Sequence, residues 1–208
     1  MRRYIADQHF FDEDVLFRMD KRKFGSVDEM NEYMIAQWND TVKRGDEVFV
    51  LGDMFSLKGA DPEAVNRVLH RLKGKITLII GNHDAGWIAK PAIDTGRFKA
   101  IHHYMEINDT GRRLILSHYP IPFFGKNHMR DKNGSLSTVM LHGHLHDTKE
   151  AGLMYRFEKE AAEESFVTAK GTEEPMTMNL INCFCGYSDY RPLGLDEWIA
   201  RRDAGYRT

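Results

Sequence analysis

The apolar run Ile76-Thr77-Leu78-Ile79-Ile80 stops at Gly81-Asn82-His83-Asp84, and this change from strand-forming to metal-competent residues constrains the fold more than any other feature. Four other segments repeat it. Tyr4-Ile5-Ala6 ends at Asp7, Val48-Phe49-Val50-Leu51 at Gly52-Asp53, Leu114-Ile115-Leu116 at Ser117-His118, and Val139-Met140-Leu141 at His142-Gly143-His144-Leu145-His146. Short β-branched and aliphatic runs of this kind read as strands buried on both faces. Strands of an α/β sheet present their carboxyl ends to one crevice, so the five endings are expected to converge there. Convergent Asp, Asn and His side chains make a metal site.

The segments between these runs carry helix signals. Ser26 can cap a helix with Glu29 completing a capping box, and Met30, Tyr33, Met34, Trp38 and Val42 then fall at helical spacing to about Lys43. Asp61-Pro62 opens a second helix with Val65, Val68, Leu69 and Leu72 on one face, ended by Gly74. Phe10 to Phe24 has no clean period and reads as a loop with one helical turn, and Trp87 to Phe98 as a short helix and loop. Residues 100–107 and 112–117 read as a hairpin through Asn108-Asp109-Thr110-Gly111. Pro120 to Leu136 reads as a long loop, Asp147 to about Ser165 as a charged helical excursion, and Thr168 to Pro175 as a linker. A strand near Met178 to Phe184 and a helix from Leu195 to Arg202 close the chain.

With 208 residues, 42% of them hydrophobic, the chain can bury one good core, and a single domain over residues 1–208 is expected. A net charge of −2 gives no global attraction to nucleic acid or anionic lipid. The start reaches a polar residue too soon for a signal peptide, and no apolar run approaches the roughly 18 residues that span a bilayer. The expectation is a soluble cytoplasmic protein without a membrane partner. Cys183 and Cys185 are read as reduced structural thiols.

Divalent transition ions accept imidazole nitrogen together with carboxylate or amide oxygen, and no thiolate stands at the crevice. Asp7-x-His9 and His144-x-His146 each suit a chelating pair, and Asp53 follows a glycine that admits close backbone approach. With Asn82 and His118, seven ligands are available: Asp7, His9, Asp53, Asn82, His118, His144 and His146. That is too many for one tetrahedral ion and suits two ions sharing a carboxylate, an arrangement that acidifies a bridging water and clamps both oxygens of an in-line displacement.

In order and spacing, these motifs resemble the signature of calcineurin-like metallophosphoesterases over residues 7–146. Phe10, the Glu29-Met30-Asn31-Glu32 helix and Asp189-Tyr190-Arg191-Pro192 further resemble a branch of small, single-domain prokaryotic and phage-type members. The resemblance implies a four-layer α/β sandwich of two mixed sheets flanked by helices. It implies one divalent ion on Asp7, His9, Asp53 and His146, and a second on Asp53, Asn82, His118 and His144. Mn is the expected metal, with Fe, Zn, Co and Ni as competitors. His83 would be the catalytic imidazole, binding substrate with Asn82, and the reaction would be hydrolysis of phosphate mono- or diesters, with a nucleotide-like substrate in view, by attack of a metal-bridging hydroxide. Two departures from the pattern stand out: Ser56 occupies a position where members often carry Asp or Asn to orient the catalytic imidazole, and Phe11-Asp12 stands where members tend to have Gly-His.

Simpler readings compete at each position. Asp7 and Asp53, taken singly, could turn the chain after a strand. Asp84 is expected to cap a turn or orient a neighbour, His142 to support the site or fill the core, and His70, His102 and His103 to be structural. Phe123, Phe124, Lys126, His128 and Arg130 could form a substrate wall or a packed, solvated loop. A non-catalytic scaffold would show lost ligands or a replaced His83, and neither is seen. A nuclease would need a basic track, for which Arg18, Lys21, Arg22 and Lys23 are the one run, of a kind usually found on a solvated face.

Overall fold

A computed structural model describes residues 1–56, 61–132, 134, 136–168 and 171–206. The first sheet contains β1 (Arg2–Ile5), β2 (Glu47–Val50), β3 (Lys75–Ile79) and β4 (Phe98–His102), in that order and parallel throughout. The second runs in the order β10 (Leu180–Asn182), β7 (Thr138–His142), β6 (Arg112–Ser117) and β5 (Tyr104–Asp109). Its β5–β6 hairpin is antiparallel and its other pairings parallel. The fold is an α/β sandwich, as expected, but only this second sheet is mixed.

Alternation along the strands sorts the core into layers. Ile5, Val48, Val50, Ile76 and Leu78 face α1 (Val27–Thr41), α2 (Pro62–Arg71) and the single turn α3 (Ala85–Ile88), meeting Met30, Met34, Trp38, Val65, Leu69 and Trp87. Their neighbours Tyr4, Ala6, Phe49 and Leu51 face the other sheet and pack on Leu114, Leu116, Val139, Leu141 and Ile181. On the far face of the second sheet, Ile115, Met140 and Leu180 meet Met154 of α4 (Lys149–Ala161). The order is helices, sheet, sheet, helix. Helix α5 (Leu195–Asp203) closes the edge where β1 and β10 approach, with Trp198 Nε1 donating to the Tyr4 carbonyl at 2.8 Å.

Several local expectations change in the tertiary structure. The segment read as one strand over residues 100–107 divides at His103: β4 belongs to the first sheet and β5 to the second, so the chain crosses the sandwich there. The linker expected over 168–175 contains β9 (Glu173–Pro175), which pairs antiparallel with β8 (Ser165–Val167); residues 169 and 170 lie outside the described residues. Ser26 caps α1 by accepting the Glu29 amide, but Glu29 accepts the Gly25 amide rather than that of Ser26. Tyr33 leaves the apolar face and donates its hydroxyl to Asp189 at 2.9 Å. The turn expected in the 10–24 loop is π-helical, Val15–Met19. Cys183 and Cys185 are free and buried, the first between the sheets and the second on the helix side. Among the described residues no helix is long and apolar enough to cross a membrane.

Candidate metal centre

The carboxyl ends of β1, β2, β3, β6 and β7 all point to one end of the sandwich. The β1–β2 pairing continues into the loops beyond, where Asp7 N donates to Gly52 O and His9 N to Asp53 O, each at 3.0 Å. This places the Asp7–His9 loop against the Asp53 loop. Within the second sheet Gly143 N donates to His118 O, and across the sandwich the His144 amide reaches both oxygens of Asp7 at 3.0 Å. Two glycines permit the approach: a Cβ at Gly52 would lie 2.2 Å from His118 Nδ1, and one at Gly81 2.2 Å from Asp53 Oδ1.

Six of the seven expected ligands fall into two triads, Asp7/His9/His146 and Asp53/His118/His144, whose donor atoms lie within 4.8 Å of one another in each. The triads adjoin. His9 Nε2 is 3.7 Å and His118 Nε2 3.3 Å from the same Asp53 oxygen, and His146 Nε2 is 3.8 Å from Asp7. Asn82 joins the second group, its Oδ1 2.9 Å from His118 Nε2. The exposed His83 stands outside both groups: its amide donates to Asp53 Oδ1 at 2.8 Å, and its ring meets His9 edge-on at 5.0 Å.

Backbone and side-chain strain mark the same place. Asp7, His9, Asp53, His144 and His146 all adopt positive φ, between 47° and 71°. Such conformations cost about 1 kcal/mol or more each in L-residues and cluster where function requires them. His9 Nε2 is buried without a hydrogen-bond partner. A buried polar atom left in this way calls for an explanation, and a cation among the surrounding carboxylates supplies one. The donor set therefore fits divalent ions.

Each supporting contact fixes an imidazole by its other nitrogen. His9 Nδ1 meets Asp12 Oδ2 at 3.1 Å, His118 Nδ1 donates to the Leu51 carbonyl at 2.9 Å, and His146 Nδ1 meets Asp20 Oδ1 at 2.8 Å. Burial tends to raise the Asp53 carboxyl, but the hydrogen bond and charge of His118 hold it down at about 2. Burial tends to lower His118, yet Asp53 and Asp7 bring it up to about 9. His142 is buried beside the site: burial pushes it down to about 4, and its Nδ1 donates to the Gly143 carbonyl. Asp84 orients a neighbour, accepting the Asp53 and Gly81 amides.

Sequence reasoning missed the roles of Asp12, Asp20 and Arg22. Arg22 is not on a solvated face: it is 7% exposed, pairs with Asp20 at 2.8 Å, and donates to the Asp7 carbonyl at 2.9 Å and the Gln8 carbonyl at 2.6 Å. The Cys185 thiol also donates to the Asp7 carbonyl. These bonds hold the turn that aims Asp7 and His9. Ser56 bonds Asp12, the partner of His9, rather than His83. His128 packs on Phe166 at 5.2 Å and Arg130 bonds Gly134, Thr177 and Glu174, tying that loop to the β8–β9 hairpin. The one sequence signal for Asp20 and Arg22 was a carboxylate and a guanidinium two apart in an unpatterned segment.

No family model matches the chain. It is 30% identical over 142 residues to the uncharacterized protein MJ1445 of Methanocaldococcus jannaschii, covering 68% of this chain and 67% of that one. This chain belongs to the same family. The crystal structure of the protein of unknown function AQ665 from Aquifex aeolicus matches at TM-score 0.62 with 22% identity, over 96% of this chain and 98% of that one, and shares the fold. YfcE, a phosphoesterase from E. coli, superposes over 69% of this chain and 68% of its own at TM-score 0.30 with 19% identity, below the level at which a shared fold is claimed.

Proposed function

We propose that this chain is a dinuclear metal-dependent hydrolase of phosphate mono- or diesters, a single calcineurin-like phosphoesterase domain. The observation that carries this reading is the pair of adjoining triads with Asp53 in reach of His9 and His118. Asp7, His9, Asp53 and His146 would hold one divalent ion, and Asp53, Asn82, His118 and His144 the other. When bound, the ions would supply Lewis acidity toward phosphoryl oxygens and a water acidified toward neutral pH. Imidazole, carboxylate and amide donors suit Mn, with Fe, Zn, Co or Ni competing according to availability.

The chain's own groups do the rest. Asp53 and Asp84 fix the 81–84 loop through its amides, so His83 is presented from a rigid base. Its exposed imidazole, outside both triads, would stabilise charge on the phosphoryl group or protonate the leaving oxygen, a contribution of about 10² to 10⁴ in rate. Asn82 turns its Oδ1 to His118 and leaves its amide NH₂ to donate to a phosphoryl oxygen. The test is release of nitrophenol from nitrophenyl phosphate and bis(nitrophenyl) phosphate with Mn²⁺, lost on chelation and restored by the metal. No metal-dependent turnover of either ester would overturn the reading.

A further inference from the structure

A cavity of about 610 Å³ opens beside His144, between the segment following β6 and one face of α4. Tyr119, Leu153 and Phe157 line it, and Phe123 stands edge-on to Phe157 at 6.3 Å. All four are exposed, by 48%, 56%, 39% and 60% respectively. Among the residues of α4, Ala161 alone is buried, so Leu153 and Phe157, one turn apart, present their side chains to the cavity rather than to the core. Apolar groups gathered in this way on a protein surface mark a place of contact.

The helix is anchored where it leaves the metal centre. Thr148 donates to the Leu145 carbonyl at 2.8 Å and accepts the Glu150 amide at 3.2 Å, and the Tyr187 hydroxyl donates to Asp147 at 3.1 Å. The loop that supplies His144 and His146 therefore also sets the position of the groove. Tyr119 follows His118 directly, and its ring lies 4.6 Å from that of His144. One side of the second triad is thus an aromatic wall.

We propose that this groove is the subsite for the organic arm of the phosphate ester, and that the arm is a flat aromatic ring, a nucleobase or an aryl group. The inference rests on the hydrolase reading and deepens it. A phosphoryl group held at His144 has the groove as its neighbour, and the volume suits one small organic group. Tyr and Phe walls stack on the face or edge of a ring, whereas a short alkyl or polyol arm would leave them wet. Glu150 and Arg156, at the same groove, supply hydrogen-bonding partners for a heterocycle.

The experiment is calorimetry on the metal-loaded full chain with adenosine 5′-monophosphate, phenyl phosphate and inorganic phosphate. The aromatic phosphates should bind at least about tenfold tighter than inorganic phosphate. Phe157→Ala and Leu153→Asp, both at exposed positions, should bring that ratio toward one. Equal affinities in the unaltered chain, or a ratio that survives both substitutions, would overturn the proposal. A dimer that Leu153→Asp dissociates in sedimentation would do the same by giving the groove to a second copy. Turnover is measured separately: variant-sensitive binding of aromatic phosphates without hydrolysis of any ester supports the groove and removes the hydrolase reading.

Discussion

The Asp84 carboxylate holds the Asp53 loop from the neighbouring strand end: one oxygen accepts the Asp53 and Gly81 amides at 2.8 Å, and the other accepts the Met54 amide at 3.0 Å and Trp87 Nε1 at 2.9 Å. Asp84→Ala leaves four buried donors without an acceptor. The expected loss is about 3 kcal/mol or more, read from urea unfolding of the metal-free chain. An unchanged midpoint would mean that these donors find water.

Asp53 belongs to the second triad and lies 3.7 Å from His9 of the first, so its removal should affect both. Asp53→Ala is expected to bring metal content, by elemental analysis after dialysis, from two ions per chain to one or none. For the unaltered chain, saturating Mn²⁺ at about 100 times its dissociation constant should stabilise by roughly 2.7 kcal/mol per site, visible as a raised melting temperature that chelator reverses. Two ions retained in the variant would reject the shared carboxylate.

Asp20 touches His146 on the side away from Asp7. Asp20→Asn keeps the volume but weakens the bond that aims the ring, so metal affinity should fall about 10- to 100-fold. The same substitution deprives buried Arg22 of its partner, and stability should fall by about 3 kcal/mol. Measuring affinity by calorimetry on the folded variant separates the two effects, and an unaltered affinity would remove Asp20 from the site.

Burial raises the Glu158 carboxyl to about 7, with Arg202 opposing. Because its folded value lies above the unfolded one, its contribution to stability is complete below about pH 4.5 and is lost as pH rises through 7. Glu158→Gln should remove that dependence. The difference between the two chains, by urea unfolding at pH 5 and pH 8, should be of order 1 to 3 kcal/mol. Parallel pH profiles would show that Glu158 is solvated.

The sequence by itself determined where the polar strand ends are. Runs such as Val48–Leu51 and Ile76–Ile79 are largely apolar because both faces are buried, and that pattern is local. It also determined the caps of α1 and α2, whose Ser26 and Asp61 accept amides three residues on. Seven side chains competent for metal could be named because each follows such a run. What only the tertiary structure decided is partnership across distance. Whether residues 98–109 form one strand or two depended on which sheet each half could pair with, and nothing in the segment records that choice. Asp12, Asp20 and Arg22 sit in a loop without periodicity, and they matter because the fold places them behind His9, His146 and the Asp7 turn. Burial gives those charges their meaning, and burial belongs to the assembled chain.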